Sequence, residues 1–210
     1  MPSRRNTDQA HYAGSNPGTA YSLMHGPYEN FGVFNGQFEQ GPSEQDESEP
    51  PEGWLYTPIS AGGTFLRTTG GYAGNWCARG GRPGVGAGVD LFSQKYMPVA
   101  EAYVYAYQVA ACHTNNGTLR PGLVCYNAAK AVLGNVWMAA AFIPATVYGV
   151  GWTLYSYFCG GVGVAFSAGT RYVRLYLRLQ VNAALNAAYT YVDDVKFQQV
   201  QPWLWALIPE

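Results

Sequence analysis

The 210 residues leave room for one domain of ordinary size with a tail, and the core can be large enough to stand alone. Hydrophobic residues at 48% against charged ones at 12% exclude a disordered chain and a solvated helical bundle. A formal net charge of −1 gives no electrostatic footprint for nucleic acid.

Gly (26), Tyr (17) and Pro (13) replace the missing charge. Aromatic rings suit a pleated, half-buried surface and glycine supplies corners with φ > 0, so the composition points to an all-β protein. A surface this poor in charge and rich in tyrosine also predicts that a partner covers part of it.

In chain order, residues 1 to 33 are polar, broken by Asn-Pro-Gly and Gly-Pro, and without a period of 2 or 3.6, which reads as an extended N-terminal arm. The opening Met-Pro-Ser-Arg-Arg has no apolar run of signal-peptide length behind it. Membrane insertion is not expected, since the most apolar window, Val132 to Phe142, falls well short of the roughly 20 residues a spanning helix requires. Glu44, Asp46, Glu47, Glu49 and Glu52 sit among serines and prolines and read as a solvated acidic loop.

From Trp54 onward, short strand candidates are punctuated by Gly or Pro. They run over Thr64 to Thr69, Asn75 to Arg79, Val89 to Val99 with a break at Pro98, and Ala102 to His113. After the Asn115-Asn116-Gly117 turn follow Gly122 to Tyr126, Val132 to Trp137, Gly151 to Cys159, Thr170 to Val181 and Ala188 to Val200. Nine or ten strands with no amphipathic helix make a sandwich or barrel over residues 34 to 200. Alternation puts Val173, Leu175, Leu177 and Leu179 on a core face, and Tyr172, Arg174, Tyr176 and Arg178 on the opposite one. Both faces of Ala102 to His113 are apolar, as in a central strand covered on both sides. Trp54 and Val104 are further core candidates. Cys77, Cys112, Cys125 and Cys159 show no metal spacing and read as buried free thiols, although Cys112 and Cys125 could bridge if their strands were neighbours.

Three segments in order resemble one family. Asn35-Gly36-Gln37-Phe38-Glu39 is followed by Gly53-Trp54. Gly70-Gly71-Tyr72-Ala73-Gly74 is followed by Leu91-Phe92-Ser93-Gln94 and Met97-Pro98-Val99. Gly169-Thr170-Arg171-Tyr172-Val173-Arg174 leads to Tyr191-Val192-Asp193-Asp194-Val195. The pattern resembles the galactose-binding-like jelly roll of carbohydrate-binding modules, found in secreted glycoside hydrolases and in tailed-phage virion proteins. The resemblance implies a jelly-roll β-sandwich, a buried Gln ahead of the first long core strand, and a structural Ca²⁺ on Glu39 with Asp193 or Asp194, completed by carbonyls of loops such as Gly62-Gly63. The alternative for the aspartates is that alternation points them apart and one caps the strand.

Catalysis finds little support, because His11 and His25 are in the arm, His113 stands at a strand end, and no carboxylate pair of glycosidase type is apparent. Gly81 to Gly88 is rich in glycine, yet no helix or Lys-Ser/Thr follows it as a phosphate cradle would require. The Tyr172, Arg174, Tyr176 and Arg178 row suits hot-spot contact with a partner protein, or stacking and hydrogen bonding to a sugar such as a host surface glycan. Residues 201 to 210 are too apolar to stay in water, and Trp203, Trp205 and Leu207 are expected to dock on another subunit, giving a homo-oligomer bound to other virion proteins. The first functional expectation is therefore a non-enzymatic structural or adhesion protein of a tailed-phage virion, such as a capsid decoration, tail or fibre component, assembled in the host cytoplasm. The alternative is a stand-alone carbohydrate-binding module associated with a secreted glycoside hydrolase.

Overall fold

Val173, Leu175, Leu177 and Leu179 alternate along one strand, and all four are fully buried. That strand is central to one of two packed antiparallel sheets in a computed structural model that describes residues 33–41, 50–59, 63–82, 88–181 and 188–200. Arm residues 1–32, the acidic-loop residues Glu44, Asp46, Glu47 and Glu49, and the tail with Trp203, Trp205 and Leu207 lie outside the described residues.

The strands are β1 (Trp54–Pro58), β2 (Thr64–Thr69), β3 (Trp76–Arg82), β4 (Gly88–Ser93), β5 (Met97–Pro98), β6 (Val104–Thr114), β7 (Gly117–Tyr126), β8 (Val132–Trp137), β9 (Thr153–Gly160), β10 (Tyr172–Val181) and β11 (Ala188–Gln199). The front sheet runs β1-β4-β10-β7-β8, with β5 also on β10, and the back sheet runs β2-β3-β11-β6-β9. Among the described residues there is no helix. The chain is an all-β jelly-roll sandwich.

Trp54 is fully buried and Val104 nearly so, as their surroundings in the sequence imply. β6 lies between β11 and β9 and is covered on both faces. Tyr105, Tyr107, Val109 and Ala111 enter the main core, while Val104, Ala106, Gln108 and Ala110 are buried on the other side. Tyr105 stacks on Phe197 at 5.3 Å, tying β6 to β11 inside the core.

β7 begins at Gly117, where the sequence reading starts the strand only at Gly122, after Pro121; the strand in fact runs through this proline. Proline is normally confined to sheet edges, since it offers no N–H to the ladder. Here the Pro121 carbonyl accepts from Met138 N at 3.0 Å, so this residue turns its polar groups past the end of β8, where no donor is required. All four cysteines are free and buried. Cys112 is in the back sheet and Cys125 in the front one, so the conditional bridge has no neighbouring strands to form across. Burial pushes the Cys112 thiol up to about 12.

The opening motif now has a physical role. Asn35 adopts φ 53, its Nδ2 donates to the carbonyls of Gln40 and Glu52, and its own carbonyl accepts from Trp54 Nε1 at 3.1 Å. Phe38 then packs on Trp54 with ring centroids 5.2 Å apart. Any Cβ at position 36 would stand 2.2 Å from the Val195 carbonyl oxygen, which is why glycine is required there. The same carbonyl-to-amide approach pairs Val195 N with Gly36 O at 2.9 Å, joining the motif to β11. Gln94, expected to be buried, is exposed, although its Nε2 reaches the Trp54 carbonyl at 3.3 Å.

Candidate functional site: the outer face of the front sheet

Antiparallel register assembles one aromatic row across four strands. Phe92 of β4 pairs with Tyr176 of β10, Tyr176 with Gly122 of β7, and Gly122 with Trp137 of β8. Gly122 leaves the space that its neighbour uses, since a Cβ there would meet the Trp137 ring at 2.7 Å. The indole therefore reaches Tyr176 at 4.6 Å, and Phe92 stacks on the other side of Tyr176 at 4.6 Å.

The flanking rows carry charge. Arg178 pairs directly opposite Arg120 and is held by both Asp90 oxygens, at 2.8 and 2.9 Å. Arg120 lies over Trp137, with Cζ 4.0 Å from the ring centroid. On the other side of the aromatic row, Arg174 donates from Nε to the Ser93 carbonyl, with Cζ 5.8 Å from Phe92 and 5.6 Å from Tyr96. Beyond it Tyr172, Tyr126 and Tyr96 form an edge-on cluster, with Tyr96 4.8 Å from Tyr126 and 6.5 Å from Tyr172. Lys130 stands over this cluster, its Nζ 4.9 Å from Tyr96. The β7–β8 turn fixes it there. Lys130 adopts φ 59, its N–H donates to the Asn127 carbonyl, and Asn127 Oδ1 accepts from Ala131 N.

Of the four side chains expected to form an exposed stripe, Tyr172, Arg174 and Arg178 are half-buried on this face. Tyr176 requires correction. It is 1% exposed, sandwiched between Phe92 and Trp137, so its ring supports the face and offers no platform to a ligand. Burial, reinforced by Asp90, raises its hydroxyl well above the ordinary tyrosine value, and that hydroxyl accepts from Arg178 Nη2 at 2.6 Å. Sequence reasoning missed Phe92, Tyr96, Arg120, Lys130 and Trp137, all on strands or turns that only register brings alongside β10.

The other expected site, on Glu39, Asp193 and Asp194, divides in two. Glu39 Oε1 accepts from Asn75 N at 2.8 Å and Trp76 N at 2.9 Å, and Asp193 Oδ2 accepts from Tyr72 N at 2.6 Å and Ala73 N at 3.0 Å. The two carboxylates thus converge on one turn, between β2 and β3. Asp194 does not join them. A β-bulge between Asp193 and Lys196, with Asp194 at φ 47, turns it toward Lys196 Nζ at 2.6 Å and Gln108 Nε2 at 3.1 Å. Among the described residues no group of three or more His, Cys, Asp or Glu side chains gathers as a metal-ligand set. For a calcium ion, which takes six to eight oxygens, Glu39 and Asp193 are the pair that could share one, and Asp194 already faces an ammonium.

No protein-family model and no curated protein matches the sequence. Solved structures do match in fold. The chain superposes on the enzymatically active domain of tailspike protein 4 of bacteriophage CBA120 with TM-score 0.55 and 14% identity, over 83% of this chain and 22% of that one. It spans about a fifth of that tailspike chain. It also matches TmCBM61, determined with β-1,4-galactotriose (TM-score 0.48, 11% identity, 82% of this chain and 99% of that one), and the CBM22-1 xylan-binding domain of Paenibacillus barcinonensis Xyn10C (0.45, 15%, 74% and 90%). The fold shared with the tailspike domain is the two-sheet jelly-roll sandwich that the sequence motifs imply.

Proposed function

We propose that the outer face of the front sheet binds a glycan without cleaving it, and that the chain serves as a structural or adhesion component of a tailed-phage virion. The observation that carries the binding reading is the two half-buried rings Phe92 and Trp137, held on either side of the buried Tyr176 and flanked by Arg120, Arg174 and Arg178. Half-exposed rings offer apolar faces to the C–H faces of pyranoses, and fixed guanidinium donors suit the hydroxyl oxygens around them. Glycoside cleavage ordinarily uses two carboxyl groups about 5 to 9.5 Å apart across the scissile bond. On this face Asp90 is committed to Arg178 at 2.8 and 2.9 Å, which favours binding over hydrolysis. The test is a glycan array probed with the whole chain and with Trp137→Ala. Binding that disappears in the variant is expected, and binding that survives unchanged rules this face out.

The virion placement rests on the low-charge, tyrosine-rich surface and on the apolar residues Trp203, Trp205 and Leu207, which fit docking to another subunit or to other virion proteins. Deletion of residues 202 to 210 is expected to leave a folded sandwich that no longer self-associates in sedimentation. Unaltered assembly, or unfolding, counts against it. The stand-alone carbohydrate-binding module shares the binding face and differs in predicting a monomer. A structural calcium on Glu39 and Asp193 belongs to the same proposal, since it would tie the opening segment to the last strand. Adding Ca²⁺ to chelator-treated protein is expected to raise Tm, and an unchanged Tm overturns it.

A further inference from the structure

Resting on the glycan reading, we infer that the ligand of this face is an acidic glycan, one whose sugars carry carboxylates. The face holds four cations, Arg120, Lys130, Arg174 and Arg178, and among the described residues its one ion pair is Arg178 with Asp90. Three formal positive charges therefore remain without a counter-charge. Arg120 and Arg174 are half-buried and Lys130 is exposed, so this surplus charge is carried by side chains that reach the surface of the face.

The cross-strand register points the same way. Like charges directly opposite across an antiparallel pair destabilise, and Arg120 and Arg178 occupy opposed positions of β7 and β10, both over the Trp137 ring at 4.0 and 5.4 Å, with Asp90 offsetting one of the two charges. A neutral sugar would hydrogen-bond the guanidinium groups and leave the surplus charge. A carboxylate meets both needs, because its two oxygens match the planar guanidinium fork and its charge offsets the surplus. The spacing along the sheet favours a chain over a single residue: Arg120 and Arg178 lie on one side of the aromatic row, Arg174 and Lys130 on the other, with rings between them on which sugar faces can rest.

The test uses the full chain on an array of microbial polysaccharides in which each acidic polymer is printed beside its carboxyl-reduced form, with the same backbone and linkages. Acidic forms are expected to be retained at least tenfold better than their reduced partners, with retention falling as salt rises from 50 to 300 mM. Arg120→Gln is expected to cut that preference, and the exposed Lys130→Gln, which leaves the sandwich untouched, to weaken acidic binding without affecting the reduced forms. Equal retention of acidic and reduced forms overturns this inference while leaving glycan binding in place. Retention of neither overturns both, and a Lys130→Gln variant that loses acidic and reduced forms alike shows a contact to sugar in general and counts against the charge argument.

Discussion

The two sheets turn very different outer faces to their surroundings, although both carry charged residues. On the back sheet Asp193, Asp194, Lys196 and Gln108 are all essentially buried, and their charges close on neighbours within the fold: three backbone N–H groups on Asp193, an ammonium on Asp194. On the front sheet Arg120, Arg174 and Arg178 stay half-buried and Lys130 exposed over aromatic rings, and among these four described residues Arg178 alone has an acidic partner, Asp90. The first arrangement holds the chain together and the second leaves bonding capacity for something outside it. Substitution on the back face should therefore cost stability, and substitution on the front face should cost binding.

The largest effect is expected from Asp193→Ala. Both carboxylate oxygens accept backbone N–H groups, at 2.6 to 3.0 Å, from Tyr72, Ala73 and Asp194. Removing them leaves three backbone donors without this acceptor, the Asp194 N–H buried and those of Tyr72 and Ala73 part-buried, which places the loss at roughly 3 kcal/mol, read from urea denaturation. A loss below about 1 kcal/mol would mean that the turn does not depend on this clasp.

Next comes Trp137→Ala, the front-face counterpart. The indole is half-buried, so a stability loss of about 2–3 kcal/mol is expected, while glycan affinity should fall by at least tenfold, about 1.4 kcal/mol. Should the variant lose stability as severely as Asp193→Ala and keep its affinity, the division of labour between the two faces is reversed.

The pH response sharpens the contrast. Burial pushes Asp193 up to about 7 despite the opposing hydrogen bonds from Ala73, Asp194 and Tyr72. The folded chain then keeps a proton that the unfolded chain, with an ordinary aspartate near 3.8, gives up. Between those values the native state binds more protons, so this group's contribution to stability declines as pH rises from about 4 to about 7. Asp193→Asn removes the titration, and the slope of its unfolding free energy against pH, measured in chelator, should be more positive than that of the parent. Identical slopes would show that Asp193 is ionised throughout.

Much of this division could be read from sequence, for reasons that particular residues make plain. Period-two alternation is a local property, so Val173, Leu175, Leu177 and Leu179 declare a core face without any knowledge of neighbours. The Asn35 to Glu39 and Asp193 to Val195 motifs pointed to a clasp between opening segment and last strand, and Glu39 and Asp193 do meet on one turn. What alternation does not contain is cross-strand register. Arg120 and Trp137 become neighbours of Tyr176 because Gly122 stands between β10 and β8, and nothing in the local pattern around Gly122 names those partners. Asp194 escaped for a related reason: the bulge re-aims a side chain that strict alternation would have placed by parity.

The smallest expected effect concerns the residue whose role changed most between sequence and structure. Tyr176 reads as a platform in the linear pattern, yet it lies between Phe92 and Trp137, and its hydroxyl is taken up within the face by hydrogen bonds to Arg178 and Asp90. Arg178 keeps its bidentate hold on Asp90 without that hydroxyl. Tyr176→Phe preserves the ring and both stacking contacts, so stability should change by no more than about 1 kcal/mol, the net worth of an ordinary hydrogen bond, and glycan affinity should stay within twofold. Tyr176→Ala would instead remove the support under both outer rings, opening a cavity at a cost of about 3–5 kcal/mol. Calorimetric titration of the phenylalanine variant against whichever glycan the array selects is the decisive measurement. A tenfold loss there would place the Tyr176 hydroxyl in contact with ligand, which requires the face to open beyond the packing described here.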